Sequence, residues 1–377
     1  MKKKPDFLLL EEEGENKPVN YTKQFIYSLG LFALIFLWAN VFWDYSGGLA
    51  NKMSGSQTAA VAEIVEHNRP VSNHLPSPTQ DSSLEKEEID GHLTVAFVGD
   101  IMLDRGVKYS VNKKMGGDYR ELFVKVEDQL KGYDLLFGNL EGPVSDKGSD
   151  GGSLYSFRMD PKVIPVLEEV GFDIFSVANN HVFNWGQKAF TDTLERLSNA
   201  GIDYVGGGLD GPEAYQEKLV EVKGVKIAFL ALSEFKDGAV SSTSTQPGIA
   251  LIREAEIKDK VSRARAEADL VVVSFHFGEE YQTKPNDYQQ KYAELAMDSG
   301  ADLVIGSHPH VVQTVGRYKN AYIIYSLGNF IFDQAFSPET MWGGLLEVEI
   351  NGESKQIEKV NLKKVFLNKM FQIESIE

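Results

Sequence analysis

From residue 93 onward, short apolar runs alternate with stretches that have a helical period. The runs are typical of buried strands, because they are shorter than most helices and rich in β-branched residues. The predicted strands are 93–99, 134–141, 173–180, 269–278, 301–307 and 321–330. The predicted helices are 119–130, 161–171, 187–201, 254–268 and 286–300. This alternation favours an α/β fold with a largely parallel, buried sheet.

Two other stretches have the pattern of antiparallel strands. Residues 219–234 contain two apolar runs on either side of Lys223-Gly224, which predicts a hairpin. Near the C-terminus, residues 345–365 alternate between apolar and polar positions around the turn-forming pair Asn351-Gly352. We therefore expect antiparallel strands in addition to the parallel ones.

The chain before residue 93 has a different pattern. Residues 25–43 form a run of 19 residues without a charge, which is long enough to cross a bilayer. Tyr27, Trp38 and Trp43 lie near its ends, as interfacial aromatic residues often do. A buried core helix is the alternative, but such a helix would have a polar face, and this run has none. We predict a transmembrane helix here.

The lysines around this run predict its orientation. Five lysines precede it, whereas only Lys52 falls in the twenty residues after it, so the segment 1–24 is expected to be cytoplasmic. The Ser, Pro, Asn and Glu content of residues 44–92 is typical of a flexible tether, here extracytoplasmic. Residues 93–377 would be the folded domain of a single-pass cell-membrane protein. Residues 46–50 resemble a cleavage site, so a cleaved signal peptide stays an alternative to a retained anchor.

The composition and charge of the chain exclude several classes of function. With 377 residues, 42% of them hydrophobic, the chain can form a large globular core. Its net charge of −17 argues against a nucleic-acid partner, because nucleic-acid binders show a basic stripe. It has no cysteine, which excludes disulfide bonds, thiolate metal ligands and a cysteine nucleophile. A polyanionic ligand would need a local positive feature in order to bind.

Residue types that bind metals stand at the ends of the predicted strands, where ligands sit in open α/β sheets. These candidate metal ligands are Asp100, Glu141, Asn180, His276, His308 and His310. Carboxylate, amide oxygen and imidazole together suit Mn, Fe or Zn better than Ca. Six ligands are more than one tetrahedral ion needs, so we expect one or two divalent ions. Two ions would lie about 3.5–4 Å apart and share a carboxylate.

Each candidate also has a structural explanation of its own. His276 could be a core histidine, Asp100 a helix cap and Asn180 part of a turn. The occurrence of such residues at five separate strand ends favours the metal site over this set of coincidences. Glu279 and Glu280, which follow the His276 strand, are expected to be solvated.

Two local arrangements suggest how the histidines would be used. His308 precedes a proline, which favours extended geometry, and residues two apart in an extended segment project to the same side. His308 and His310 would then both face the metal. His181 follows Asn180 directly and would point away from it, so it could stand beside the site as a catalytic general acid.

Six sequence motifs together resemble the CapA/PgsA family, the capsule-biosynthesis relatives of calcineurin-like metallophosphoesterases. These motifs are VGDIMLDRGV, GNLEGPVS, SVANNHVFNWG, SFHFGEEY, GSHPHVV and YSLGNFIFD, and the resemblance covers about residues 93–335. It implies a metallophosphatase-like α/β/β/α sandwich with two mixed β-sheets. It also implies that Asp100 and His310 hold one metal, that Asn180, His276 and His308 hold the other, that Glu141 bridges them and that His181 is the acid.

The chain departs from the phosphoesterase pattern in two places. Those enzymes usually open with Asp-x-His, where this chain has Asp100-Ile101-Met102. Glu141 replaces the bridging aspartate, and methionine is a poor ligand for a hard metal. Asp104 and Asn329 are therefore additional candidate ligands.

The family role is the synthesis or export of poly-γ-glutamate, an anionic capsule polymer, as a membrane-anchored partner of synthase subunits. Three hypotheses follow from the resemblance. The protein could bind the polymer through a metal site within the synthase complex. It could be a metal-dependent hydrolase of phosphoesters or of the polymer. It could be a non-catalytic adaptor whose site is empty.

Overall fold

The computed structural model describes residues 91–240 and 243–377. The predicted segments 1–24 and 25–43, and nearly all of the tether 44–92, lie outside these residues, so their assignments stay predictions. Within the described ranges, no helix is long and apolar enough to cross a bilayer.

The elements alternate between strands and helices through most of the described chain. The strands are β1 (His92–Ile101), β2 (Leu135–Leu140), β3 (Ile174–Ser176), β4 (Asp203–Val205), β5 (Gly207–Gly208), β6 (Lys218–Val222), β7 (Val225–Ser233), β8 (Ala239–Val240), β9 (Gly248–Ala250), β10 (Leu270–His276), β11 (Leu303–Ser307), β12 (Val315–Tyr318), β13 (Ala321–Ile324), β14 (Asn329–Ile331), β15 (Trp342–Asn351), β16 (Ile357–Leu367) and β17 (Ile373–Ile376). The α-helices are α1 (Arg105–Lys114), α2 (Glu127–Leu130), α3 (Val163–Val170), α4 (Gly186–Asn199), α5 (Gly211–Ala214), α6 (Glu254–Glu267) and α7 (Asp287–Asp298). Short 3-10 helices span Tyr119–Leu122 and Glu339–Met341.

The strands form two large mixed sheets. The first has the order β17-β16-β15-β1-β2-β3-β4, and β14 also pairs with β1. Strands β1 to β4 are parallel, whereas β15 to β17 are antiparallel. The second has the order β12-β13-β11-β10-β7-β6, with a parallel centre and antiparallel edges. The mixed α/β fold is confirmed, as are the hairpin within 219–234 and the antiparallel C-terminal strands. Strands β5, β9 and β8 form a small third sheet.

Three groups of buried apolar side chains define the layers. The middle group lies between the two large sheets and includes Phe137 and Phe229, whose rings stack with centroids 5.8 Å apart. A second group lies between the first sheet and helices α1, α3 and α4. A third lies between the second sheet and helices α6 and α7. The order of layers is therefore helix, sheet, sheet, helix.

Strand β1 shows how the sequence produces two buried faces. Successive side chains of a strand point to opposite faces. Val95 and Phe97 accordingly belong to the middle group, and Ala96 and Val98 to the outer one. Because both faces are covered, the strand is almost continuously apolar. Burial of each Val or Phe side chain stabilises the fold by about 1.5–3 kcal/mol.

The prediction of one continuous helix over residues 119–130 is wrong. The 3-10 helix Tyr119–Leu122 and the short helix α2 occupy it, separated by a turn. Helix α1 has no counterpart in the sequence analysis. Its only buried apolar residues are Val107 and Val111, four residues apart, which is too weak a periodic signal.

The predicted strand 321–330 is also wrong, and its true path shapes the site. It is two strands, β13 in the second sheet and β14 in the first, joined through Gly328 at φ +64°. This crossing passes very close to both sheets. A Cβ on Gly99 would lie 1.9 Å from the carbonyl oxygen of Gly328, and one on Gly306 would lie 1.9 Å from that of Tyr325. Glycine at 99 and 306 therefore lets the sheets meet where β1 and β11 end.

Candidate metal centre

Asp100 ties the two sheets together at the edge where their parallel strands end. It lies near the end of β1 and is fully buried. Its Oδ1 accepts a hydrogen bond from Asn139 Nδ2 in β2, at 2.8 Å. Its Oδ2 lies 3.2 Å from the backbone nitrogen of His308, which donates to it, and 3.2 Å from Nδ1 of His310. Asp100 thus joins β1 and β2 to the loop after β11.

Glu141, directly after β2, is a fully buried carboxylate without a hydrogen-bond partner for either oxygen among the described residues. Nε2 of His310 and Nε2 of His181 each lie 3.8 Å from its Oε1. Burial raises the pKa of Glu141 well above its usual value, and the negative charge of Asp100 raises it further. A buried carboxylate in this position is unfavourable unless a cation lies against it.

His276, the last residue of β10, has partners at both ring nitrogens. Nε2 lies 2.8 Å from Oδ1 of Asn180. Nδ1 lies 3.3 Å from Nδ2 of Asn139 and 3.2 Å from Oγ of Ser307. Burial lowers the pKa of His276 well below its usual value, so the ring is neutral, as a metal ligand must be. Nε2 of His276 and Oδ1 of Asn180, two atoms of types that bind metals, therefore lie next to each other.

The histidine pair after β11 reaches this edge by a different backbone path from the predicted one. The expectation of extended geometry is wrong, since φ is +97° at His308 and +59° at His310. Positive φ is uncommon for residues with a side chain and recurs at functional sites. The hydrogen bond from the His308 backbone to Asp100 helps to hold this turn. Both rings are buried, and their centroids lie 5.8 Å apart. Nδ1 of His308 has no hydrogen-bond partner in the described part of the chain.

Asn329, at the start of β14, orients His310. Its Oδ1 lies 3.0 Å from Nδ1 of His310. Its Nδ2 donates to Oε1 of Gln334 at 3.1 Å and to the carbonyl oxygen of Thr340 at 3.0 Å. These two acceptors fix the amide, so Oδ1 faces the imidazole and Nδ1 of His310 is the donor. Nε2 of His310 is then the nitrogen free for a metal, and Asn329 stands behind this ligand.

His181 adjoins the centre from another side. Its Nδ1 lies 2.9 Å from Oδ1 of Asn184, which also accepts the backbone N–H of Phe157 at 2.9 Å. Nδ1 of His181 therefore carries the ring proton, and the Nε2 that faces Glu141 does not. The Phe157 ring stacks on the imidazole, with centroids 3.9 Å apart. Burial lowers the pKa of His181 to about 4, so the ring is neutral at neutral pH.

Asp104 is not brought to this centre. Its Oδ2 accepts the backbone N–H of Arg158 at 2.8 Å, and its Oδ1 lies 3.5 Å from Nζ of Lys108. It precedes the first turn of α1 as the helix N-cap residue.

Glu280 was expected to be solvated, and it is exposed. Its carboxylate nevertheless forms a group with His308 and His310 whose ligand atoms all lie within 4.8 Å of one another. The sequence signal for it was weak, because it lies four residues beyond His276 in a loop. Glu280 is therefore a further candidate ligand, at the solvent side of the centre.

The donor set fits a divalent metal ion. Asp100, Glu141 and His276 form a second group of ligand atoms within 4.8 Å of one another, and all three residues are buried. Within this donor set, the buried atoms that have no hydrogen-bond partner among the described residues are both oxygens of Glu141 and Nδ1 of His308, and these atom types bind metals. The division of ligands between two ions that the resemblance implies stays a prediction.

Comparisons with known proteins identify relatives of the chain. A family model described as "Bacterial capsule synthesis protein PGA_cap" matches residues 94–334. The chain is 38% identical over 254 residues to "Capsule biosynthesis protein CapA" of Bacillus anthracis, a match that covers 65% of this chain and 61% of that one. It is 33% identical over 251 residues to "PGA biosynthesis protein CapA" of Bacillus subtilis (strain 168), covering 66% and 65%. The chain thus spans less than two thirds of the length of these relatives.

A solved structure, described as a novel phosphatase from Mycoplasma pneumoniae, aligns with 73% of this chain and 94% of its own. The sequence identity is 16% and the TM-score is 0.45.

Replacing Glu141 with glutamine should stabilise the metal-free protein. Because the pKa of Glu141 is raised in the folded chain, the free energy of unfolding falls as pH rises from 4.5, its usual pKa, toward the raised value. We expect Glu141→Gln to increase the free energy of unfolding at neutral pH by about 1–3 kcal/mol. The gain should shrink below pH 4.5. Urea unfolding with a chelator present measures both effects.

The control is Glu168→Gln, which changes an exposed carboxylate on α3. It should leave the stability unchanged at both pH values. A Glu141→Gln protein less stable than the wild type at neutral pH, or a gain that does not depend on pH, would contradict the assignment of Glu141 as an unpartnered buried carboxylate.

Proposed function

The chain belongs to the bacterial capsule synthesis family PGA_cap, and we propose that its folded domain binds the acidic capsule polymer through a divalent metal centre. The observation that carries this proposal is the buried cluster around Glu141, whose two oxygens lack partners while three histidine rings converge nearby. Such a cluster is unfavourable without a cation. The names of the relatives, capsule and PGA biosynthesis proteins, support the choice of polymer.

The charge of the protein supports a role for the metal in polymer binding. The chain carries a net charge of −17, so a polycarboxylate such as poly-γ-glutamate is repelled on average. A divalent ion at the centre would supply local positive charge and open positions for carboxylate oxygens. Asp100, Glu141, Asn180, His276, His308 and His310 would share the binding of one or two such ions, with Glu280 at the solvent side.

The cellular arrangement belongs to the same proposal. The uncharged run 25–43 would anchor the chain, and the tether 44–92 would place the domain outside the cell membrane. Synthase subunits in the membrane would be its partners. The lysine asymmetry around the uncharged run supports this orientation.

Polymer binding should require both the metal and His276. We expect a short oligomer of γ-linked glutamate to bind the full chain in detergent after loading with Mn or Zn, as followed by calorimetry. Chelation or His276→Ala should abolish the binding, because either removes the cation. The matched control is His92→Ala, since His92 is an exposed histidine at the start of β1.

Binding that survives both chelation and His276→Ala would show that the polymer is not held at this centre. Absence of binding to the metal-loaded wild type would leave the adaptor hypothesis, in which the domain acts through protein partners alone.

Hydrolysis is a second candidate, and the placement of His181 favours it. Its unprotonated Nε2 lies 3.8 Å from Oε1 of Glu141, next to the atoms that would bind the metal. Since the ring is neutral, it first accepts a proton, for example from a water molecule, and only afterwards can it donate one to a leaving group. Asn184 and Phe157 hold the ring in the orientation that this transfer needs.

Turnover separates this candidate from binding alone. If the domain hydrolyses p-nitrophenyl phosphate or the γ-linked oligomer, His181→Asn should reduce the rate about a hundredfold to ten-thousandfold. Metal content and polymer affinity should be unchanged, because His181 lies outside the proposed ligand set. Polymer binding without measurable hydrolysis by the wild type would exclude the hydrolase.

A further inference from the structure

Arg105, the first residue of α1, is held in a fixed position by Asp333. Its Nε donates to Oδ2 of Asp333 at 3.1 Å, and its Nη2 donates to Oδ1 at 2.8 Å. The backbone N–H of Gly106 donates to the same Oδ2 at 2.9 Å. Arg105 has a φ of +49°, which is uncommon for a residue with a side chain. The three bonds to Asp333 offset the strain of this conformation.

The guanidinium lies at the edge of the metal centre. Its Cζ is 5.0 Å from the centre of the Phe157 ring and 5.8 Å from that of Tyr155. The same Phe157 ring stacks on His181, which faces Glu141. Arg105 therefore places a positive charge that is linked to the buried Glu141 through the Phe157 and His181 rings.

The ion pair with Asp333 uses only one edge of the guanidinium. A guanidinium has five N–H donors, and Asp333 engages Nε and Nη2. Nη1 makes no hydrogen bond to any described residue, and about a third of the side chain is exposed (34%). A guanidinium pre-oriented in this way loses little freedom when an anion binds to its other edge.

Exposed aromatic residues lie beside the guanidinium and near His310. Tyr155 is 61% exposed and lies against Arg105, whereas Phe336 is 64% exposed and packs edge-on against Tyr281 near His310. These rings offer apolar contact to the carbon atoms between the anionic groups of a bound ligand. Arg105 therefore offers hydrogen-bond donors for an anion, and the exposed rings offer apolar surface for a chain.

We propose that Arg105 forms a binding site for one anionic group, a carboxylate or a phosphate, of the molecule that the adjacent metal centre engages. This inference rests on the proposed function for the identity of the neighbouring site. In the complex, the free Nη1 donors of Arg105 bind the anion while Asp333 keeps the guanidinium in place. The bound anion thereby lies at a fixed position beside the metal centre, and the Phe157 ring separates it from His181.

The test compares Arg105→Ala and Arg105→Lys with Arg263→Ala in the full metal-loaded chain. Arg263 is exposed on α6, so its replacement makes the same change in net charge elsewhere on the surface. Calorimetry with inorganic phosphate and with a short γ-linked glutamate oligomer distinguishes a phosphate source of the anion from a carboxylate source. Arg105→Ala should weaken binding of one or both probes about tenfold to a hundredfold.

Arg105→Lys should weaken binding less than Arg105→Ala, because it keeps the charge but not the planar donors, and Arg263→Ala should bind as the wild type does. If circular dichroism shows that Arg105→Ala does not fold, the lysine variant decides. Unchanged affinity for both probes in a folded Arg105 variant with normal metal content would overturn the proposal, as would failure of the wild type to bind either probe.

The design also keeps this inference separate from the proposed function. Normal metal content and unchanged affinity for both probes in Arg105→Ala would refute the anion site and leave the metal centre intact. An effect of Arg105→Ala on phosphate or oligomer binding that persists in chelated protein would support the anion site, even if His276→Ala proved to have no effect.

Discussion

The arrangement of this domain depends on two carboxylates buried side by side at the edge where its sheets meet. Asp100 is satisfied by Asn139 and by the backbone of His308, whereas Glu141 has no hydrogen-bond partner among the described residues. Two adjacent buried negative charges oppose folding unless a positive charge neutralises them. His276 and His308 do not supply it as imidazolium ions, because burial lowers the pKa of each well below the usual value. A bound cation would resolve the conflict.

The fold brings these groups together through close backbone approach. Residues 325–328 cross from the second sheet to the first, and they fit only because positions 99 and 306 are glycines. This crossing delivers Asn329 behind His310, and the turn after β11 delivers His308 and His310 from the opposite sheet. The ligands thus come from segments far apart in sequence. Their geometry is a property of the packed sandwich and not of any local motif.

Much of this could be predicted from the sequence. Apolar runs of strand length that end in Asp, Asn or His predicted both the sheets and the gathering of Asp100, Glu141, Asn180 and the histidines at one edge. Predictions from local sequence failed where tertiary contacts determine the backbone conformation. Gly328 divides a continuous apolar run between two sheets. The hydrogen bond to Asp100 holds His308 at positive φ despite the proline that follows it. The roles of Asn329, Asp104 and Glu280 depend on side-chain direction, which spacing along the chain does not encode.

The most direct test of the central claim is the metal content of the full chain, purified without chelator and measured by elemental analysis beside Glu141→Ala and Glu168→Ala. We expect about one or two equivalents of Mn, Fe or Zn in the wild type, because the donor set can fill one or two positions. The metal should be lost in Glu141→Ala and retained in Glu168→Ala. A wild-type chain that holds no metal, even after reloading, would contradict the presence of a metal centre in this domain.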